Sequence, residues 1–134
     1  MQQITKSIAT SNHSQFLNIT GLVKEAVAES GIRSGVVTVF VAHTTAGITI
    51  NENADPDVTR DMLNLLDRMV PWNDPDYRHF EGNTAAHMKA SLMGNSTEVI
   101  IEEGRLQLGT WQGIYFCEFD GPRQRKVQLK IMGS

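Results

Sequence analysis

Hydrophobic positions change period several times along the chain, and each change predicts an element. Residues 2–9 alternate, with Ile4 and Ile8 on one face and Thr5 and Ser7 on the other, the two-residue period of a strand. A polar turn at 10–14 leads to a short extended segment at 15–19 that carries Phe16 and Leu17. Leu22, Val23, Ala26 and Val27 recur at helical spacing, which predicts a helix capped by Thr20 and running through Ser30. Gly31 suits the left-handed position that ends it. The apolar, β-branched run from Val36 to Ala42 predicts a buried strand over 35–42. Alternation resumes at 47–50, with Ile48 and Ile50 on one side.

A second helix is predicted over 56–69, with Asp55 as N-cap and Pro56 at its first position. Val58, Met62, Leu65, Leu66 and Met69 form its apolar stripe. Residues 70–82 carry turn signals at Pro71 and Asn73-Asp74-Pro75, together with Trp72, Tyr77, His79 and Phe80. Asn83 is placed to cap a third helix through Met93, which Gly94 closes. Strands follow at 99–101, 105–108, 113–119 and 126–132. The late strands are joined by short turns, so the sheet is expected to be largely antiparallel and the fold class α+β.

At 134 residues the chain is expected to be a single domain, large enough to bury a core without disulfides or structural metal. A net charge of −3 argues against a nucleic-acid partner. The one cysteine, Cys117, lies in an apolar stretch and reads as a buried structural thiol. With no intrachain disulfide to form, a cytoplasmic location is expected. The first residues lack the apolar core of a signal peptide, and no apolar run reaches membrane-spanning length, so no membrane partner is expected.

Four features bear candidate chemistry. His43, His79 and His87 each lie beside polar turn residues, at a strand end, in a loop and near a helix start. Such elements can converge on one cleft, and three imidazoles plus water form a catalytic zinc arrangement, with Glu52, Asp55 or Glu81 orienting the rings. Taken singly, each histidine reads more simply as a hydrogen-bonded structural residue. The helix start at Asn83 offers free N–H groups to an anion, with Lys89 placed on the solvated face. Gly109-Thr110-Trp111-Gln112-Gly113 is either a ligand-stacking loop or a hairpin corner around a core Trp. Arg123 and Arg125, after the Asp120-Gly121-Pro122 turn, suit phosphate or form a charged hairpin tip.

The motifs His43-Thr44-Thr45-Ala46, Asn51-Glu52-Asn53-Ala54-Asp55-Pro56, Glu81-Gly82-Asn83, Leu108-Gly109-Thr110-Trp111-Gln112-Gly113 and Glu118-Phe119-Asp120-Gly121-Pro122-Arg123 occur in this order. Together they resemble the YjbQ-type family, also called the secondary thiamine-phosphate synthase family. The resemblance implies a sandwich-like β core with about three helices packed on one side, and a homotrimer. It also implies a weak activity that joins a pyrimidine diphosphate to a thiazole phosphate and releases pyrophosphate. On that basis a small phosphorylated metabolite is the expected partner. The family's presumed metal site maps onto His43, His79 and His87, for a divalent cation such as zinc, or magnesium with a diphosphate. His43, Glu52 and His87 are the expected catalytic residues. Asn83, Thr110, Trp111, Gln112, Arg123 and Arg125 are the expected substrate contacts. A metal-dependent hydrolase and a non-catalytic metabolite-binding trimer are the alternatives.

Overall fold

The computed structural model describes residues 2–134. Its elements in chain order are β1 (Gln2–Ala9), β2 (Gln15–Asn18), α1 (Thr20–Ser30), β3 (Gly35–Phe40), β4 (Ala46–Glu52), α2 (Pro56–Met69), α3 (Thr84–Met93), β5 (Ser96–Glu102), β6 (Arg105–Leu106), β7 (Gln112–Glu118) and β8 (Gln124–Gly133). All strand pairings among these residues are antiparallel. They build a five-stranded sheet in the order β1-β8-β3-β5-β6 and a three-stranded sheet in the order β2-β7-β4. The expected α+β fold is therefore the observed one.

Strand β7 sits at the centre because both of its faces are apolar. Ile114 and Phe116 enter the core between the two sheets, where Val37, Val39, Leu129 and Ile131 meet Val23 and Val27 of α1. Tyr115 and Cys117, on the alternate face, join Phe119 in a second cluster with Leu66 of α2 and Ala86 and Ala90 of α3. A strand buried on both sides loses the apolar–polar alternation of a half-exposed one. Helices α2 and α3 thus cover the outer face of the small sheet, while α1 contributes to the inner core.

Local chemistry explains where observed boundaries differ from the sequence reading. Thr20 starts α1 instead of capping it, and its N-cap is Ile19. The Thr20 hydroxyl donates to Asn18 Oδ1 at 2.6 Å and accepts from the Ile114 N–H at 2.8 Å, so it ties the helix start to β7. Strand β3 ends at Phe40, although the Val41 N–H still donates to the Asn95 carbonyl at 2.7 Å, one rung beyond the Phe40–Ser96 pair, so only the β8 side of β3 is released there. Asp55 caps α2 as expected, accepting from the Asp57 N–H at 2.9 Å. Lys89 is a correction: it is buried, not solvated, and its ammonium pairs with Asp67 of α2. No helix among the described residues is long and apolar enough to cross a membrane.

Candidate functional site

Strand β3 leaves the sheet before β8 ends, and this mismatch positions His43. The β3–β8 register stops at Phe40 opposite Gln128, whereas β8 continues to Gln124 against β1. Continued by two residues, the same register would set Ala42 against Lys126. Instead His43 Nε2 accepts the Lys126 backbone N–H at 3.0 Å. An imidazole thus takes the place of a missing ladder partner.

His43 and His87 line one open cleft of about 500 Å³, together with Thr44, Ser91 and Asn95. His87 and Ser91 share a face of α3, four residues apart. The His79 ring meets the His87 ring edge-on, with centroids 5.5 Å apart. His79 Nε2 lies 3.8 Å from Glu81 Oε1, and both side chains are well exposed. The structure therefore brings the three predicted histidines to one region, with His79 at its rim.

Arg125 is not a free phosphate contact. It is 3% exposed and pairs with Glu118, which is fully buried. Its Nη2 also donates to Thr45 Oγ1 at 2.9 Å, while the Thr10 hydroxyl donates to Glu118 Oε1 at 2.8 Å. This network clamps β8 to β7 and the start of β4 beneath His43. Burial by itself would raise the Glu118 carboxyl. Hydrogen bonds from Arg125, the Asp120 backbone and Thr10 outweigh it and hold the group below its ordinary value.

Arg123 is half-exposed and remains closer to the role expected of it. Its Nη2 lies 3.1 Å from Asp120 Oδ2, and its charge, like that of Arg125, acts on His43. Asn83 does not present a capping side chain at α3. Its Nδ2 donates to Asp120 Oδ2 at 2.9 Å, so an acidic group already stands beside the helix start predicted to hold a phosphate.

Glu52, Thr110, Trp111 and Gln112 lie elsewhere. Ala46 faces Glu118 at one end of the β4–β7 ladder, and Glu52 faces Gln112 at the other. Six residues of strand separate those ends by roughly 20 Å. Glu52 therefore cannot act as base on a group held by His43 of the same chain. Trp111 is 63% exposed and is no core residue. The Gln112 side chain accepts from the Gly109 N–H at 2.8 Å and closes its own turn. Cys117 is buried as expected, and burial raises its thiol beyond any nucleophilic role.

The predicted three-histidine metal set does not fit this arrangement. A ring bound to zinc through one nitrogen carries its proton on the other. His43 instead offers Nε2 to an N–H donor, so its proton belongs on Nδ1. Among the described residues, no three His, Cys, Asp or Glu side chains are grouped to hold an ion.

Burial, then the Arg125 charge, lowers the His43 pKa. In the unfolded chain the same ring titrates at its ordinary value of about 6.5. Above that pH both states are neutral and His43 makes no pH-dependent contribution. As pH falls below it, the unfolded chain takes up the proton first, so stability declines with acidification until the folded ring protonates. Urea unfolding at a series of pH values is expected to show this decline as pH falls below about 6.5, and His43→Asn is expected to flatten it.

Three residues in or beneath the site received no role from sequence reasoning, for two different reasons. Ser91 and Asn95 carry no signal without the α3–β4 packing that brings them to His43. Glu118 had one: it is a lone carboxylate in an apolar strand, and such a group needs a buried partner.

Comparison with known proteins agrees with the fold. Residues 4–134 match the family described as UPF0047 protein YjbQ-like. The UPF0047 protein YugU of Bacillus subtilis is 57% identical over 96% of this chain and 98% of its own length. A UPF0047 protein of Methanocaldococcus jannaschii is 48% identical over 95% of this chain and 91% of its own. The crystal structure of a YjbQ/UPF0047-family protein from Clostridium acetobutylicum superposes with a TM-score of 0.94 at 64% identity, covering 96% of this chain and 99% of that one. A protein of Aeropyrum pernix K1, 34% identical, also gives a TM-score of 0.94 over the full length of both chains. With its sequence matched from residue 4 to residue 134 and its architecture shared across bacterial and archaeal relatives, this chain belongs to the YjbQ/UPF0047 family.

Proposed function

We propose that the protein is a small-molecule enzyme acting on a phosphorylated metabolite in the His43–His87 cleft. The reaction suggested by the family resemblance is a weak thiamine-phosphate-synthase-like transfer. In it the thiazole nitrogen displaces pyrophosphate from the pyrimidine methylene carbon. The observation that carries the reading is the convergence of two imidazoles from distant segments on one cleft, where the Arg123 charge also reaches His43. A departing pyrophosphate needs charge neutralisation, which Arg123 is suited to give, and a proton, which His87 is suited to give.

The test is turnover of the pyrimidine diphosphate and thiazole phosphate by purified protein, followed as pyrophosphate release. Wild type is expected to be active, and His87→Ala to fall by roughly 100-fold or more while retaining its fold. Absence of product, with no rescue of a thiamine-requiring strain, sinks the transferase assignment.

A homotrimer belongs to the same reading. Met88 and Leu92 are about half-exposed on α3 beside the cleft, and Leu65 and Met69 are exposed on α2, an apolar surface suited to a second copy. Contact between copies would also allow Glu52 and Trp111 of one chain to approach the cleft of another. A metal-dependent hydrolase is the second reading, for which the one favourable observation is the edge-on contact of the His79 and His87 rings. Metal analysis and chelator treatment, before assay on phosphoesters, distinguish it from the first.

A further inference from the structure

We propose that His43 serves the cleft as a hydrogen-bond donor through Nδ1–H, with its tautomer fixed by the β8 backbone, and that its ligand is an oxyanion instead of a metal ion. The proposal deepens the reading of the cleft as a metabolite site and rests on it.

A backbone N–H can only donate. The 3.0 Å contact from the Lys126 N–H therefore requires a lone pair on His43 Nε2. A neutral imidazole with a lone pair on Nε2 holds its proton on Nδ1. Rotation does not readily release this arrangement, because the Lys126 N–H has no other partner on that edge once β3 has turned away. The backbone on either side is also fixed. Arg125 and Val127 pair with Ile8 and Lys6 of β1, and the Arg125 side chain is locked to Glu118 and Thr45. To ligate a metal through Nδ1, His43 would have to become an imidazolate or abandon Lys126.

The chemistry around the ring points the same way. Thr44 and Ser91 bring hydroxyls to the cleft and Asn95 an amide. The Arg125 charge is the strongest to reach His43; the Glu118 carboxylate, paired with Arg125, opposes it, and Arg123 adds a smaller positive contribution. A fixed N–H donor, two hydroxyls and an amide suit the oxygens of a phosphate or diphosphate. His87, on a separate element, is left as the imidazole free to exchange a proton. Sequence alone gave the two rings the same role, whereas the fold gives them different ones.

Two-dimensional NMR of protein labelled with ¹⁵N-histidine reads the tautomer directly. At neutral pH His43 is expected to show the Nδ1–H pattern, unchanged by stoichiometric zinc. Titration with inorganic phosphate is expected to move its Nδ1–H resonance. His43→Ala is expected to weaken phosphate binding by roughly 10- to 100-fold. His43→Asn, whose amide can place an N–H near the Nδ1 position, should recover part of that loss. An Nε2–H pattern, or loss of the Nδ1 proton when zinc is added, overturns the proposal. So does phosphate binding that leaves the His43 resonance unmoved, or no phosphate binding at all. Because the tautomer is read in unmodified protein, a variant that fails to fold does not blunt the test. Failure to turn over the thiamine precursors sinks the transferase reading without touching the imidazole signal, so the two failures are distinguishable.

Discussion

Glu118→Ala is expected to lower the free energy of unfolding by about 3–5 kcal/mol, the cost of leaving a buried charge without its partner. Arg125 is 3% exposed and Glu118 is fully buried. A guanidinium does not shed its proton at accessible pH, so the variant must bury a bare cation or open the strands to water. The Thr10 hydroxyl and the Asp120 N–H lose their acceptor at the same time. Glu118→Gln keeps the shape and one acceptor and is expected to cost less. Replacing both Glu118 and Arg125 by Met removes the uncompensated charge and should restore part of the loss. Restoration would be incomplete, because the Thr45 hydroxyl loses the Arg125 donor and the Asp120 N–H its acceptor, whereas Thr10 keeps its bonds with the Arg123 backbone. Urea denaturation of the single and double variants checks the ranking. A Glu118→Ala loss below about 1 kcal/mol would match an exposed pair and contradict the buried network.

Gly47→Ala is expected to cost about 1–3 kcal/mol, in the range of an overpacked core, and to disturb the cleft as well. A Cβ on Gly47 would stand 2.7 Å from the Gly94 carbonyl oxygen, 3.2 Å from the Ala90 oxygen and 3.2 Å from Met93 Cβ. Two of these atoms are backbone and cannot rotate away. The nearest belongs to Gly94, whose carbonyl accepts the Ile48 N–H at 3.0 Å. Relief requires the C-terminal end of α3 to lift from β4, which carries Ala90, Ser91 and Gly94 away from His43. The expected outcome is reduced stability together with weaker phosphate binding. Gly21→Ala is the control. Nothing lies within 4 Å of its Cβ position, so Ala should be neutral or stabilising there by about 0.5–1 kcal/mol. Equal destabilisation by the two would refute the steric account.

Most of the fold was readable because local periodicity and caps mark it. Alternation located β1, and Asp55-Pro56 located the start of α2 to the residue. Properties set by distant contacts were less legible. Thr20 looks like a cap in sequence, yet its hydroxyl serves β7 across 94 positions. Lys89 looks solvated, yet Asp67 of another helix draws it inward. The site divides in the same way. The grouping of His43, His79 and His87 near one cleft followed from turn residues. The tautomer of His43 followed from the premature end of β3, which no pattern in the sequence announces. Glu52 was gathered with His43 because the two are close in the chain, and Trp111 because the family resemblance implies a shared site. The length of β4 moves them to the opposite end of the molecule.

Strand β7 gives the domain a mechanical property that neither of its clusters has alone. One face belongs to the core that anchors the β3–β4 turn bearing His43. The other belongs to the layer that seats α3 and His87. Neither layer can separate without stripping a face of the same seven-residue strand. The cleft is therefore bolted across a shared beam, and its two imidazoles keep their spacing until the whole domain unfolds as one cooperative unit.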